Sequence, residues 1–163
     1  MSFACVTCDP ALCTGCQVCE FACAMAKTSS FDLELARIRT ARPEPELVIS
    51  ITCRMCPSPP CVAACPRNAL SQDPAKGIIL LNKALCSGCG WCIEACEFGA
   101  ISMDIRTKSV VICDLCPELP QPRCVELCPR QALSLATTSQ VATRNRDRAA
   151  QRQLLETASK APK

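Results

Sequence analysis

Cys13-Thr14-Gly15-Cys16-Gln17-Val18-Cys19-Glu20-Phe21-Ala22-Cys23 sets four thiols at steps of three, three and four residues. The pattern returns three times. Cys86, Cys89, Cys92 and Cys96 repeat it with the same spacing. Cys53, Cys56, Cys61 and Cys65 stretch the middle gap, and Pro66 follows. Cys113, Cys116, Cys124 and Cys128 stretch it further, and Pro129 follows. Sixteen of the eighteen cysteines fall into these four runs. The runs are an internal repeat, each reading as a cysteine loop, a short helix carrying the last cysteine, and a strand.

Thiols crowded at this spacing suit a metal better than disulfides, whose geometry is demanding. A disulfide framework also needs an oxidising compartment, and Met1-Ser2-Phe3-Ala4-Cys5 has no signal-peptide character. Zinc ribbons use separated C-x2-C pairs. A cubane iron–sulfur cluster offers four iron corners, each taking one soft thiolate. Three cysteines of a run, on a curling loop, reach three corners. The last cysteine points away and serves a neighbouring cluster, as in bacterial ferredoxins. Sixteen thiolates suffice for four 4Fe–4S clusters with no iron left open to substrate.

The rest of the chain agrees with a stapled fold. Of its 163 residues 49% are apolar, but that figure includes the eighteen cysteines, and 21 of the others are alanine. Tyrosine is absent, and Trp91 is the single tryptophan. So thin a core needs staples, and metal-binding free energy then becomes folding free energy. The chain without its clusters is therefore expected to be largely unfolded. Histidine is absent, which excludes a Rieske site and removes the commonest proton shuttle. No Walker or G-x-G-x-x-G loop occurs. No apolar run approaches the ~18 residues of a membrane span, so a soluble, cytoplasmic protein is expected. The formal charge is +3. Each all-cysteine cluster brings about −2 with its thiolates, so the loaded protein carries about −5, which disfavours nucleic acid.

Helices are expected over residues 18–24, 61–65, 92–96 and 124–128. Strands are expected over 3–8, 47–52, 69–71, 78–81, 99–103, 110–112 and 132–135, with 3–8 pairing 133–136. Residues 42–46, rich in proline and glutamate, read as an extended surface loop. The fold class is α+β: two ferredoxin-like βαβ modules nested in one chain. Residues 1–46 and 106–136 form the outer module and 47–105 the inner one. Residues 137–163 form a basic tail carrying Arg144, Arg146, Arg148, Arg152, Lys160 and Lys163 against Asp147 and Glu156. A polar helix over 143–158 is expected there. Cys5 and Cys8, three apart on a strand, face opposite ways and read as structural thiols. Trp91 reads as packing over a cluster.

The four-run layout carries a longer gap in runs two and four, and Cys-Pro closes both. It resembles the four-cluster ferredoxin-like electron-transfer subunits of molybdenum and tungsten oxidoreductases, formate- and hydrogen-linked complexes and carbon monoxide dehydrogenases. The likeness covers residues 1–136. It implies that Cys13, Cys16, Cys19 and Cys128 hold one cluster, and that Cys113, Cys116, Cys124 and Cys23 hold a second. Cys53, Cys56, Cys61 and Cys96 would hold a third, and Cys86, Cys89, Cys92 and Cys65 a fourth. It implies a non-catalytic relay between a metal–pterin or hydrogenase-type catalytic subunit and a ferredoxin or flavin partner. Compact relatives stand beside tungsten aldehyde oxidoreductases or build filaments in formate systems. That implies a self-associating tail and a polymerising wire. A free polyferredoxin carrier and a structural assembly subunit are the rival readings.

Overall fold

Every cysteine run turns on a left-handed residue at the same place. It is the residue before the second cysteine: Gly15, Met55, Gly88 and Leu115, with φ of 68°, 49°, 67° and 62°. A positive φ at that point curls the chain so that successive cysteines face inward. Glycine adopts it freely, whereas Met55 and Leu115 hold it under the constraint of their surroundings. Gly88 has a second reason to be glycine, since a Cβ there would stand 2.6 Å from the Lys108 carbonyl oxygen.

A computed structural model describes residues 3–159, with side chains as far as Leu155. Met1, Ser2, Lys160, Lys163 and the Glu156 side chain lie outside the described residues. The chain runs β1 Cys5–Cys8, α1 Val18–Thr28, a 3-10 turn Leu33–Leu35, β2 Arg39–Glu44 and β3 Leu47–Ile51. It continues through α2 Pro60–Ala63, β4 Leu70–Gln72, β5 Ile79–Leu81, α3 Trp91–Glu94, β6 Ser102–Asp104 and β7 Ser109–Val111. It ends with α4 Arg123–Glu126, β8 Leu133–Ala136 and α5 Thr138–Ser159. The four sheets are antiparallel pairs: β1 with β8, β2 with β3, β4 with β5 and β6 with β7. The expected pairing of the chain's two ends is found, with Cys5 opposite Ala136 and Cys8 opposite Leu133.

Four expectations are corrected. Residues 42–46 are not a loop throughout, because β2 runs to Glu44 and pairs with β3 across an irregularity between Ala41 and Glu44. Pro43 is tolerated because a two-stranded hairpin leaves it an edge. Helices α2, α3 and α4 are single turns that stop before Cys65, Cys96 and Cys128. Those cysteines sit in the following turn, which left-handed Asn68, Gly99 and Gln131 complete. In the first run the helix continues past Cys23 to Thr28, where left-handed Ser29 caps it. Helix α5 begins five residues earlier than expected. Thr137 and Gln140 form a reciprocal cap: the Gln140 N–H donates to Thr137 Oγ1 at 3.3 Å, and the Thr137 N–H to Gln140 Oε1 at 2.8 Å.

The core is split into two clusters. One gathers Cys5, Met55, Leu70, Ile78, Ile79, Ile101, Val110 and Ile112, with cysteines of runs two, three and four. The other gathers Val6, Ala24, Ala36, Ile38 and Leu133 with Cys19, Cys23 and Cys124. Of the large side chains only Ile38 and Met55 are wholly buried among the described residues.

Candidate metal centre

Cysteines of different runs meet around three cavities. Cys13, Cys16 and Cys19 share a cavity with Cys128. Cys86, Cys89 and Cys92 share one with Cys65. Cys53, Cys56 and Cys61 share one with Cys96. Each thus takes three cysteines of one run and the last of another. The remaining four cysteines, Cys23, Cys113, Cys116 and Cys124, are all buried. Burial pushes the Cys124 thiol up, and Cys113, Cys23 and Cys116 beside it push further. Burial holds Cys113 up at about 12, and Cys23 adds to it.

The exchange of last cysteines follows from the helices. Helix α1 carries Cys19 toward the first cavity and Cys23 toward the buried four, and it packs against α4. Helix α2 packs against α3 in the same way. The two pairs touch where Cys113 lies near Cys53, both within one core cluster. Cys124 lies near Cys19, Cys113 near Cys53 and Cys92 near Cys61, which connects the cysteines around Cys13/Cys128, the buried four, those around Cys53/Cys96 and those around Cys86/Cys65 in that order.

Each last cysteine accepts a backbone N–H. Ala69 donates to Cys65 Sγ at 3.2 Å, Ala100 to Cys96 at 3.5 Å and Ala132 to Cys128 at 3.3 Å. Left-handed Asn68, Gly99 and Gln131 aim these donors. Cys23 lacks that turn because its helix continues, and Arg37 N–H serves it instead at 3.2 Å. Arg37 is held by Asp114, which also pairs with Lys27 at 3.1 Å and accepts the Cys116 N–H at 3.1 Å. Burial works to raise Asp114, but Arg37 and Lys27 hold it below the usual carboxylate range.

No disulfide joins any of the eighteen cysteines. Among the described residues no three Cys, Asp or Glu side chains converge to hold a single metal ion. Four soft thiols gathered around one cavity are instead the donor set of a multi-iron cluster. Burial holds Cys61 and Cys92 up at about 11, so these thiols give up protons on binding metal.

Cys5 and Cys8 do face opposite ways on β1. Cys5 joins the core of runs two, three and four, and Cys8 lies against the other cluster. Cys8 Sγ accepts the Ser50 N–H at 3.4 Å and is held up at about 11, chiefly by burial. Trp91 does not pack over a cavity; it is 61% exposed at the start of α3. Sequence reading missed the hydroxyls of Thr40 and Ser50, which line the first cavity. Their signal was faint: two polar residues in the insert between runs.

The 4Fe-4S dicluster domain family matches residues 46–138, more than half of the chain. The chain belongs to that family. As a member it is an iron–sulfur electron-transfer subunit, not a catalyst on its own. The polyferredoxin-like subunit of an aliphatic sulfonate oxidoreductase from Pyrococcus furiosus is 40% identical over 119 residues, covering 73% of this chain and 68% of the relative. The beta subunit of an NADH-dependent phenylglyoxylate dehydrogenase from Aromatoleum evansii is 36% identical over 137 residues, covering 82% of this chain but 30% of the relative. Among solved structures, a chain of the active-site complex BamBC of benzoyl coenzyme A reductase aligns with a TM-score of 0.51. It covers 84% of this chain and 78% of that one at 21% identity, a likeness of fold. No helix of the described residues is long and apolar enough to cross a membrane.

Proposed function

We propose that this chain relays electrons through four 4Fe–4S clusters between a catalytic oxidoreductase subunit and a second redox partner. The ligand sets are Cys13, Cys16, Cys19 and Cys128; Cys113, Cys116, Cys124 and Cys23; Cys53, Cys56, Cys61 and Cys96; and Cys86, Cys89, Cys92 and Cys65. The observation that carries the reading is the exchange of last cysteines around three cavities. Such exchange ties neighbouring centres together at hopping distance. When bound, the clusters supply one-electron oxidation and reduction. The chain's own residues supply thiolates, aim backbone N–H groups at sulfur, and exclude water from the interior sets. Two modules follow, residues 47–105 inside an outer one from 1–46 and 106–136, with the tail 137–163 outside both.

The ends of the row are the exchange points. Cys16 and Cys89 are the exposed cysteines, one in each terminal set. Exposed ligands let a partner's redox centre approach. The partner at one end is a metal–pterin catalytic subunit, of the tungsten or molybdenum aldehyde oxidoreductase or formate dehydrogenase type. At the other it is a ferredoxin, flavin or hydrogenase component. The two relatives, each a subunit of an oxidoreductase, support that setting. A second reading, a polymerising wire built through the tail, rests on α5, which carries Leu155 at 71% exposure.

Anaerobic purification of the native complex, with iron counting and identification of bound subunits, tests both. About sixteen iron atoms per chain and a stoichiometric large subunit support the relay. Mass far above one such complex supports the wire, and a lone monomer overturns the subunit reading in favour of a free carrier.

A further inference from the structure

The β2–β3 hairpin, inserted between runs one and two, brings side-chain hydroxyls to sulfur at one end of the row. Ser50 Oγ lies 3.6 Å from Cys19 Sγ and 3.8 Å from Cys13 Sγ. Thr40, directly opposite Ser50 in the hairpin, lies 3.9 Å from Cys19 Sγ and 3.4 Å from Ser50 Oγ. Each hydroxyl has one proton, so Ser50 can serve either sulfur while Thr40 donates either to Cys19 or to Ser50 Oγ. Both residues are fixed from behind. The Ser50 N–H is tied to Cys8 Sγ, and the Thr40 N–H donates to the buried Glu20 carboxylate at 2.6 Å.

The arrangement is peculiar to this set. Among the described residues, hydroxyl–sulfur contacts within hydrogen-bond reach fall on Cys13 and Cys19 alone of the sixteen. Cys23, Cys65 and Cys96, in the other sets, accept from backbone N–H groups. Donors to sulfur favour the more negative, reduced form and so raise the potential. The Glu20 charge works the other way, but Arg39 stands 3.9 Å from it and offsets it.

We propose that Ser50, backed by Thr40, raises the reduction potential of the cluster held by Cys13, Cys16, Cys19 and Cys128. That makes this end of the row the place where electrons rest. The inference relies on the ligand set assigned above. Reduction adds one electron, delivered along the row from the partner at the other end, and the Ser50 proton stays on Oγ throughout.

The test is a redox titration followed by electron paramagnetic resonance on the full chain, purified anaerobically, with iron counted on each sample. Cys128→Ser marks the signal of this set. Ser50→Ala is expected to keep its iron and lower the midpoint of that signal alone, with Ser50→Thr restoring it. The expected size is about a tenfold change in the reduced-to-oxidised ratio at a fixed poise, or 59 mV for one electron. Full iron with every midpoint unchanged overturns the proposal and leaves the ligand set standing. A shift in a signal that Cys128→Ser does not touch overturns the ligand set itself. If Ser50→Ala loses iron, Thr40→Val decides: a smaller fall in the same midpoint supports the proposal, and no fall overturns it.

Discussion

At the scale of single residues, the cysteine loops depend on backbone that few side chains tolerate. Gly88 combines a φ of 67° with a Cβ position 2.6 Å from the Lys108 carbonyl oxygen. The obstacle is backbone and cannot swing aside. Gly88→Ala is therefore expected to cost about 1–3 kcal/mol and, on the ligand set proposed for Cys86, Cys89 and Cys92, to release that set's iron first. Iron counting with a thermal melt checks it. Asp114 poses an electrostatic test. Its carboxyl is held low when folded, so its contribution is present above the unfolded value of about 3.9 and is lost as pH falls through the folded one. Asp114→Asn should lose about 1–3 kcal/mol at neutral pH, because Arg37 keeps its charge without its carboxylate partner and Lys27 is left with Glu118 alone. Its stability should also fall less steeply than the parent's below about pH 4. Denaturant titrations at two pH values measure both effects.

At the scale of elements, the strand pairing of β1 with β8 was legible because each is a short apolar run beside a cysteine motif. The corrected elements share a cause. Residues 42–46 carry two prolines, which reads as loop, yet Thr40 and Ser50 opposite each other hold β2 against β3. The helical turns were read too long because a cysteine four residues past the first helical one looks helical, while the left-handed residue after it was invisible in Asn68 and Gln131. Gly99 alone announces that turn. The ligand types were legible from spacing, whereas the Arg37 N–H on Cys23 and the Ser50 hydroxyl arise from contacts across 14 and 31 residues. Helix α5 is the element whose role truncation can decide. It is polar, and it touches the core through Arg144, which reaches Ser134 at 2.9 Å and Thr7 at 3.2 Å, and through Arg148 on Asp9. No cysteine lies on it. A chain ending at Ala136 is expected to keep its full iron and to melt slightly lower. Loss of iron in that chain would show that α5 supports the Cys13 loop through Asp9.

At the scale of the whole molecule, the balance of forces is unusual. Two-stranded sheets and single-turn helices give little hydrogen-bonded structure that stands alone. Many large apolar side chains are at the surface, with Phe31 at 70% and Ile105 at 82% exposure, and among the described residues only Ile38 and Met55 are wholly enclosed. Twelve cysteines instead line three cavities, and four more are buried together. Packing alone cannot offset a conformational cost of about 1–2 kcal/mol per ordered residue in so thin a core. With the ligand sets proposed above, iron–thiolate bonds would cross-link all four runs, and each exchanged cysteine would tie two segments together. Removal of iron by an anaerobic chelator should therefore unfold the chain as a whole. Circular dichroism should lose helix and strand together with the visible iron–sulfur absorbance, in one transition or in two if the outer and inner pairs release separately. Two transitions would place the weaker join between Cys113 and Cys53, where the pairs meet. Retention of native dichroism after the absorbance has gone would mean that the two apolar clusters hold the fold unaided.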